Sequence, residues 1–277
     1  MDTSDTSTTP PIRVPEITIY FWIVKILSTG AGESASDYLG ATYSHALVGI
    51  GCAAVLALSL VLQFRMHRYV AWTYWFAVLM IAVVGTMAAD VIHVGLKIPY
   101  TASTIGFAVV LAIILVFWHR SQGTLSIHSI KTRRREGFYW ATVIATFALG
   151  TAAGDMTATS FGWGYLDSGI AFGVAIIIVG LVHPLIMRSL SRTSRARETV
   201  PVFTFWLAYI LTRPLGASFA DWFGKPPVQT GLGYGDGKVA LVMIVLIVAF
   251  VAYLAITRVD MPNRGDASGR LEPEGAM

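Results

Sequence analysis

A tryptophan followed ten residues later by a glycine and fifteen later by an aspartate occurs four times in this chain: Trp22/Gly32/Asp37, Trp75/Gly85/Asp90, Trp140/Gly150/Asp155 and Trp206/Gly216/Asp221. Each copy lies in an apolar stretch. The tryptophans are 53, 65 and 66 residues apart, room in each interval for two helical membrane crossings at roughly 20 residues apiece. A chain so patterned is restricted to a repeat architecture, with each repeat a helical hairpin. With 55% hydrophobic and only 13% charged residues over 277 positions, a soluble globule is excluded.

Apolar segments near 17–37, 43–64, 70–92, 101–119, 138–156, 166–188, 200–222 and 238–257 predict eight spans. The expected fold class is therefore all-α and integral to the membrane, with eight transmembrane helices from four parallel hairpin repeats. Two spans per repeat give every copy the same orientation, so spans one, three, five and seven run parallel around an axis along the membrane normal. The repeats cover about 17–68, 69–130, 131–197 and 198–259, flanked by polar tails at 1–16 and 260–277 whose composition reads as disordered. The first 16 residues carry no secretory signal pattern, so the first span is expected to be retained.

The basic residues report topology rather than nucleic-acid binding. Arg65 and Arg68, then Arg120, Lys131, Arg133, Arg134 and Arg135, then Arg188, Arg192, Arg195 and Arg197 fall in alternate loops. The positive-inside rule makes those loops cytoplasmic, and with them both termini. The single cysteine, Cys52, excludes an internal disulfide and any CxxC site.

Projected on a helix and counted from each tryptophan, offsets 3, 7, 10, 11, 14 and 15 share a sector of roughly 140° with it. That face carries Lys25 at offset 3, Arg213 at offset 7, the glycines at 10, Glu33, Thr86 and Thr151 at 11, and the aspartates at 15. The small residues suit close helix packing or leave room for a solute. The aspartates oppose the helix dipole at a C-terminus; they either start turns at the outer interface or ring the mouth of a cation path. Lys25, Glu33 and Arg213 fall within the hydrocarbon, where such residues turn inward and find partners, so Glu33 is expected to meet Arg213 or Lys25. Pro214 is expected to kink span seven. His45 and His93, near the acids, are interfacial histidines or else metal ligands or proton carriers.

The segments FWIVKILSTGAGESASDYL, YWFAVLMIAVVGTMAAD, YWATVIATFALGTAAGD and FWLAYILTRPLGASFAD resemble the repeat of a bacterial polytopic membrane family whose repeat is of unknown function. The resemblance runs from about residue 17 to 257 and implies the fold and a bacterial inner membrane, with no activity or catalytic residues attached.

The expectation from the residues is a transporter or channel for a small cation, either alone or coupled to protons. Its site would be built from Glu33, Asp37, Asp90, Asp155, Asp221, Lys25, Arg213, Thr86 and Thr151. Carboxylates with hydroxyls suit hard ions. Its partners would be the lipid bilayer and a small cation or proton, with no nucleic acid; no cofactor and no catalysis are expected. A scaffold or sensor, or a membrane-embedded enzyme, are the rival classes.

Overall fold

The computed structural model describes residues 11–261 apart from 192 and 195; the outer parts of both tails fall outside the described residues. Eight long helices make up most of the described residues: α1 (Ile19–Thr42), α2 (His45–Arg65), α3 (Ala71–Asp90), α4 (Tyr100–Gln122), α5 (Arg133–Asp155), α6 (Gly164–Ser189), α7 (Ala196–Gly224) and α8 (Asp236–Thr257). Their starts and stops follow local chemistry. The Thr18 and Thr132 hydroxyls accept from the Phe21 and Arg135 amides and cap α1 and α5, and Gly123, at φ 74°, ends α4 in the left-handed conformation.

The odd helices form a closed inner ring, α1 against α3, α3 against α5, α5 against α7 and α7 back against α1. The even helices lie outside it, each packed chiefly on the odd helix of the next repeat: α2 on α3, α4 on α5, α6 on α7, and α8 around onto α1. The sequence hairpin is thus a unit of connectivity and not of packing. The two helices of one repeat touch little, and even in the fourth, where the contact is larger, α8 meets α1 more extensively than α7.

Two layers of the motif close this ring by one rule. At the tryptophan end, the aromatic residue preceding each Trp packs on the Trp of the next repeat. The ring centroids are 5.6 Å apart for Phe21–Trp75, 5.5 Å for Tyr74–Trp140, 6.2 Å for Tyr139–Trp206 and 5.8 Å for Phe205–Trp22. These are the separations of favourable tilted and edge-on aromatic pairs. Three turns further on, each motif glycine seats the offset-7 residue of the next repeat: Gly32 on Ala82, Gly85 on Phe147, Gly150 on Arg213 and Gly216 on Thr29. No room for a solute is left beside them, so at this depth the glycines are packing sockets.

α7 is helical without a break through Pro201 and Pro214, so no interruption marks Pro214. Carbonyls near it find other donors: the Thr212 hydroxyl bonds Tyr209 O at 2.6 Å, and the Thr29 hydroxyl reaches Thr212 O from α1 at 3.2 Å.

Seven of the eight helices are long and apolar enough to cross a membrane; α1 is the exception. Lys25, Glu33, Asp37 and a run of Ser, Thr and Gly lower its hydropathy. It tolerates them because it is wrapped by α2, α3, α7 and α8. The apolar excess instead faces outward, as with Leu47, Leu58, Ile105, Phe117, Ile177, Leu181, Leu241 and Val245. An apolar surface of this extent is compatible with a multi-pass membrane protein.

Residues 11–16 depart from the disordered tail that their composition suggests. They run across the tryptophan end, with Val14 buried and Arg13 Nη1 donating to the fully buried Glu136 carboxylate at 2.8 Å. Gln63 supports the same carboxylate at 3.2 Å. Backbone bonds tie Tyr69 N to Ile12 O, Arg13 N to Ile130 O, and Glu16 N to Asp260 O, so the segment before α1 meets the segment after α8. The Tyr69 hydroxyl donates to Asp260 Oδ2 at 2.5 Å; burial and the Asp260 charge both push its pKa up, so it remains the donor. Tyr69→Phe removes one hydrogen bond to a charged group and is expected to cost about 1.5–3 kcal/mol. Limited proteolysis should then cut the segment after α8 faster than in the unmodified protein; an unchanged cleavage rate would contradict this closure.

Candidate functional site

Above the glycine layer the offset-11 side chains of three repeats point at one group from the fourth. Arg213 Nη2 donates to Glu33 Oε2 at 2.6 Å and to the Thr151 hydroxyl at 2.7 Å, and also bonds the Thr86 hydroxyl. Thr86 in turn lies 3.1 Å from Glu33 Oε2. In the fourth repeat offset 11 is Ala217, which clears the space that the guanidinium, starting one turn lower on α7, comes to fill. Arg213 and Glu33 are both buried, so their charges compensate each other where water cannot.

Lys25 does not join this pair. Its ammonium lies 4.2 Å from the ring centre of Phe147 and 4.3 Å from that of Tyr209, without a hydrogen-bond partner. The aromatic faces are its compensation.

The four aspartates share one end of the ring without forming a symmetric square. Glu33, Asp37 and Asp221 converge, with one carboxylate oxygen of each within 4.8 Å of the others. Asp90 and Asp155 stand outside that group but within electrostatic range of it. The asymmetry has local causes. In the second and third repeats the chain widens into π-helical turns directly after the aspartate, at Val91–Gly95 and Met156–Ser160, whereas α1 and α7 continue as α-helix past Asp37 and Asp221. Among the described residues none of the four carboxylates accepts a backbone N–H, so capping does not account for them.

Lys225 is the cation of this layer and was not among the residues singled out in the sequence. Its ammonium lies 2.6 Å from Asp37 Oδ2 and 3.4 Å from Asp236 Oδ2. Burial disfavours its charge, but Asp37 and Asp221 outweigh burial and raise its pKa, so it stays protonated. Its position four residues after Asp221, just past the end of α7 where its N–H still bonds Asp221 O at 2.8 Å, is the signal that finds it, since residues i and i+4 share a helix face. The loop carrying it is pinned by backbone bonds from Leu232, Tyr234 and Gly235 to Trp222, Phe223 and Gly224. His93 is not part of the cluster; it packs on the Tyr100 ring at 4.1 Å and contacts Ser103 and Ile98 O. The His45 side chain lies outside the described residues.

Toward the tryptophan end the inner ring is packed with aromatic side chains: Tyr74 and Tyr139 are hydrogen-bonded hydroxyl to hydroxyl and buried against Trp75, Trp140 and Trp206. The arrangement is a carboxylate-rich end, a neutralised Arg–Glu centre and an aromatic floor, stacked along one axis.

No curated protein and no solved structure matches this chain. A family model described as Repeat of Unknown Function (DUF347) matches four times, over residues 20–69, 73–124, 138–188 and 204–260. Each match encloses one Trp/Gly/Asp motif, and the chain belongs to this repeat family.

Proposed function

We propose that this is a bacterial inner-membrane transporter of a small cation, with all eight helices spanning the bilayer and both termini cytoplasmic. The observation that carries the reading is the convergence of Glu33, Asp37 and Asp221, flanked by Asp90 and Asp155, at one end of the inner helix ring. Five carboxylates there face two bases, Arg213 and Lys225, leaving an excess that attracts cations. The aromatic floor and the Arg213 guanidinium oppose free diffusion of a cation along the axis. The reading is therefore a carrier that rearranges, with proton coupling through the acids as its natural form, rather than an open pore. No catalytic role is assigned to any residue.

The basic residues beside the tryptophan ends support cytoplasmic termini. Reporter fusions after residue 160 or 230 are expected on the far side of the membrane, and cytoplasmic reporters there would reverse the topology. In liposomes the protein should move a cation or protons down an imposed gradient, and Asp221→Asn should lower the flux at least tenfold with the bundle still folded. If a broad panel of ions and small organic cations gives no flux, the filled axis favours a membrane scaffold instead.

A further inference from the structure

Asp221 is an anomaly within the acidic end. It is 4% exposed, Oδ1 has no hydrogen-bond partner, and no ion pair reaches it. Its carboxylate nevertheless sits beside those of Glu33 and Asp37, each of which has a cation of its own: Arg213 for Glu33 and Lys225 for Asp37. Ser36 adds a second observation. Ser36 is 2% exposed with its hydroxyl unpartnered, and at three residues after Glu33 it lies on the Glu33 face of α1. A buried carboxylate and a buried hydroxyl thus both lack partners beside two further carboxylates. Groups of this kind cost free energy unless something pairs with them.

The charges suggest what that is. When ionised, as ligation of a cation requires, the converging Glu33, Asp37 and Asp221 carboxylates bring three negative charges, and Arg213, held by Glu33 and two threonines, cancels one. Two remain. Lys225 supplies a single positive charge, on a side chain that enters from the loop end of α7 and is partly exposed. A divalent ion in its place would neutralise the site, with oxygen ligands of the type that hard cations take.

We infer that Glu33, Asp37 and Asp221, with the Ser36 hydroxyl, form a binding site for a hard divalent cation, and that the Lys225 ammonium is a tethered occupant which the ion displaces. This deepens the transport reading by naming its substrate class, and it rests on that reading only for the ion's passage, not for its binding. Lys225 then swings to Asp236, its second carboxylate, and one charge is exchanged for two.

The test is equilibrium binding of Mn2+ to the full chain in detergent, read from the loss of the free-ion electron paramagnetic resonance signal. One Mn2+ per chain is expected, competed by Mg2+ or Ca2+. Lys225→Met should tighten binding at least tenfold because the competitor is gone, whereas Asp221→Asn and Asp37→Asn should each weaken it at least tenfold. Thermal unfolding of each variant without metal checks folding, and Lys225→Met carries the decision if an aspartate variant is unstable. Binding that is absent, or unmoved by Lys225→Met, overturns the site. Tight binding by a protein that moves no ion in liposomes overturns the transport reading and leaves the site standing.

Discussion

Gly32→Ala and Gly216→Ala are expected to be the most damaging methyl additions among the four motif glycines. A Cβ at residue 32 would meet the Ala82 backbone carbonyl carbon at 2.8 Å, and one at residue 216 would meet Ile26 O at 2.8 Å. Backbone atoms in packed helices cannot step aside as a long side chain can. α1 would have to separate from α3 or from α7, and the aromatic and Arg–Glu layers would move with it. Overpacking typically costs 1–3 kcal/mol, so about 3 kcal/mol or more is expected for these backbone-blocked sites. The helix propensity gained over glycine, about 1 kcal/mol, is too small to offset it. Gly49→Ala and Gly51→Ala are the controls: both lie in α2 with open space around them, and they should be neutral or slightly stabilising. Thermal unfolding in detergent separates the two classes, and equal behaviour of all four variants would refute the socket role of the motif glycine.

Breaking the central ion pair should cost as much by a different route. Glu33→Gln leaves the Arg213 guanidinium buried with two threonine hydroxyls and no counter-charge, while its Nε and Nη1 are already without partners. Removing one member of a buried pair costs about 3–5 kcal/mol. Arg213→Met strands the Glu33 carboxylate and should fall in the same range. The double replacement removes both charges, so its cost should be well below the sum of the two, with a coupling of at least about 1 kcal/mol. Additive losses in chemical unfolding would mean that the two side chains do not compensate each other.

Much of this architecture is legible in the chain, and the boundary of what is legible is physical. The Trp, Gly and Asp register fixes which helices are equivalent, and the expense of charge in an apolar setting brings Glu33 to Arg213. Both follow from single-helix geometry. Which helix packs on which does not, because a period reports covalent spacing; the even helices pack across repeat boundaries for reasons that lie in the closure of the ring. The site was legible in part. Its acids recur visibly, but Asp37 and Asp221 are set apart from Asp90 and Asp155 by whether the helix continues beyond the aspartate, a difference the shared motif conceals. Lys225 escapes a reading that counts from the tryptophan and stops at the aspartate, four residues short. Arg13 and Glu136, at the other end, lie in stretches whose polarity resembles that of a linker.

The packing of α8 onto α1, with Arg213 as the partner of Glu33, sets an order on biosynthesis. The first of these eight helices to leave the ribosome is the one that falls short of a membrane-crossing hydropathy, and its buried carboxylate lies 180 residues before the guanidinium that neutralises it. At translation rates of about 5–20 residues per second, α1 waits for roughly 10–40 s before that partner exists. During that interval it has neither α7 nor α8 beside it, and in the membrane placement proposed above its charged face must be shielded by the insertion machinery, by lipid headgroups or by incomplete entry into the bilayer. Nascent chains arrested after α6 should therefore hold α1 in a loosely inserted, protease-accessible form, and completion of the last repeat should draw it into the centre of the bundle.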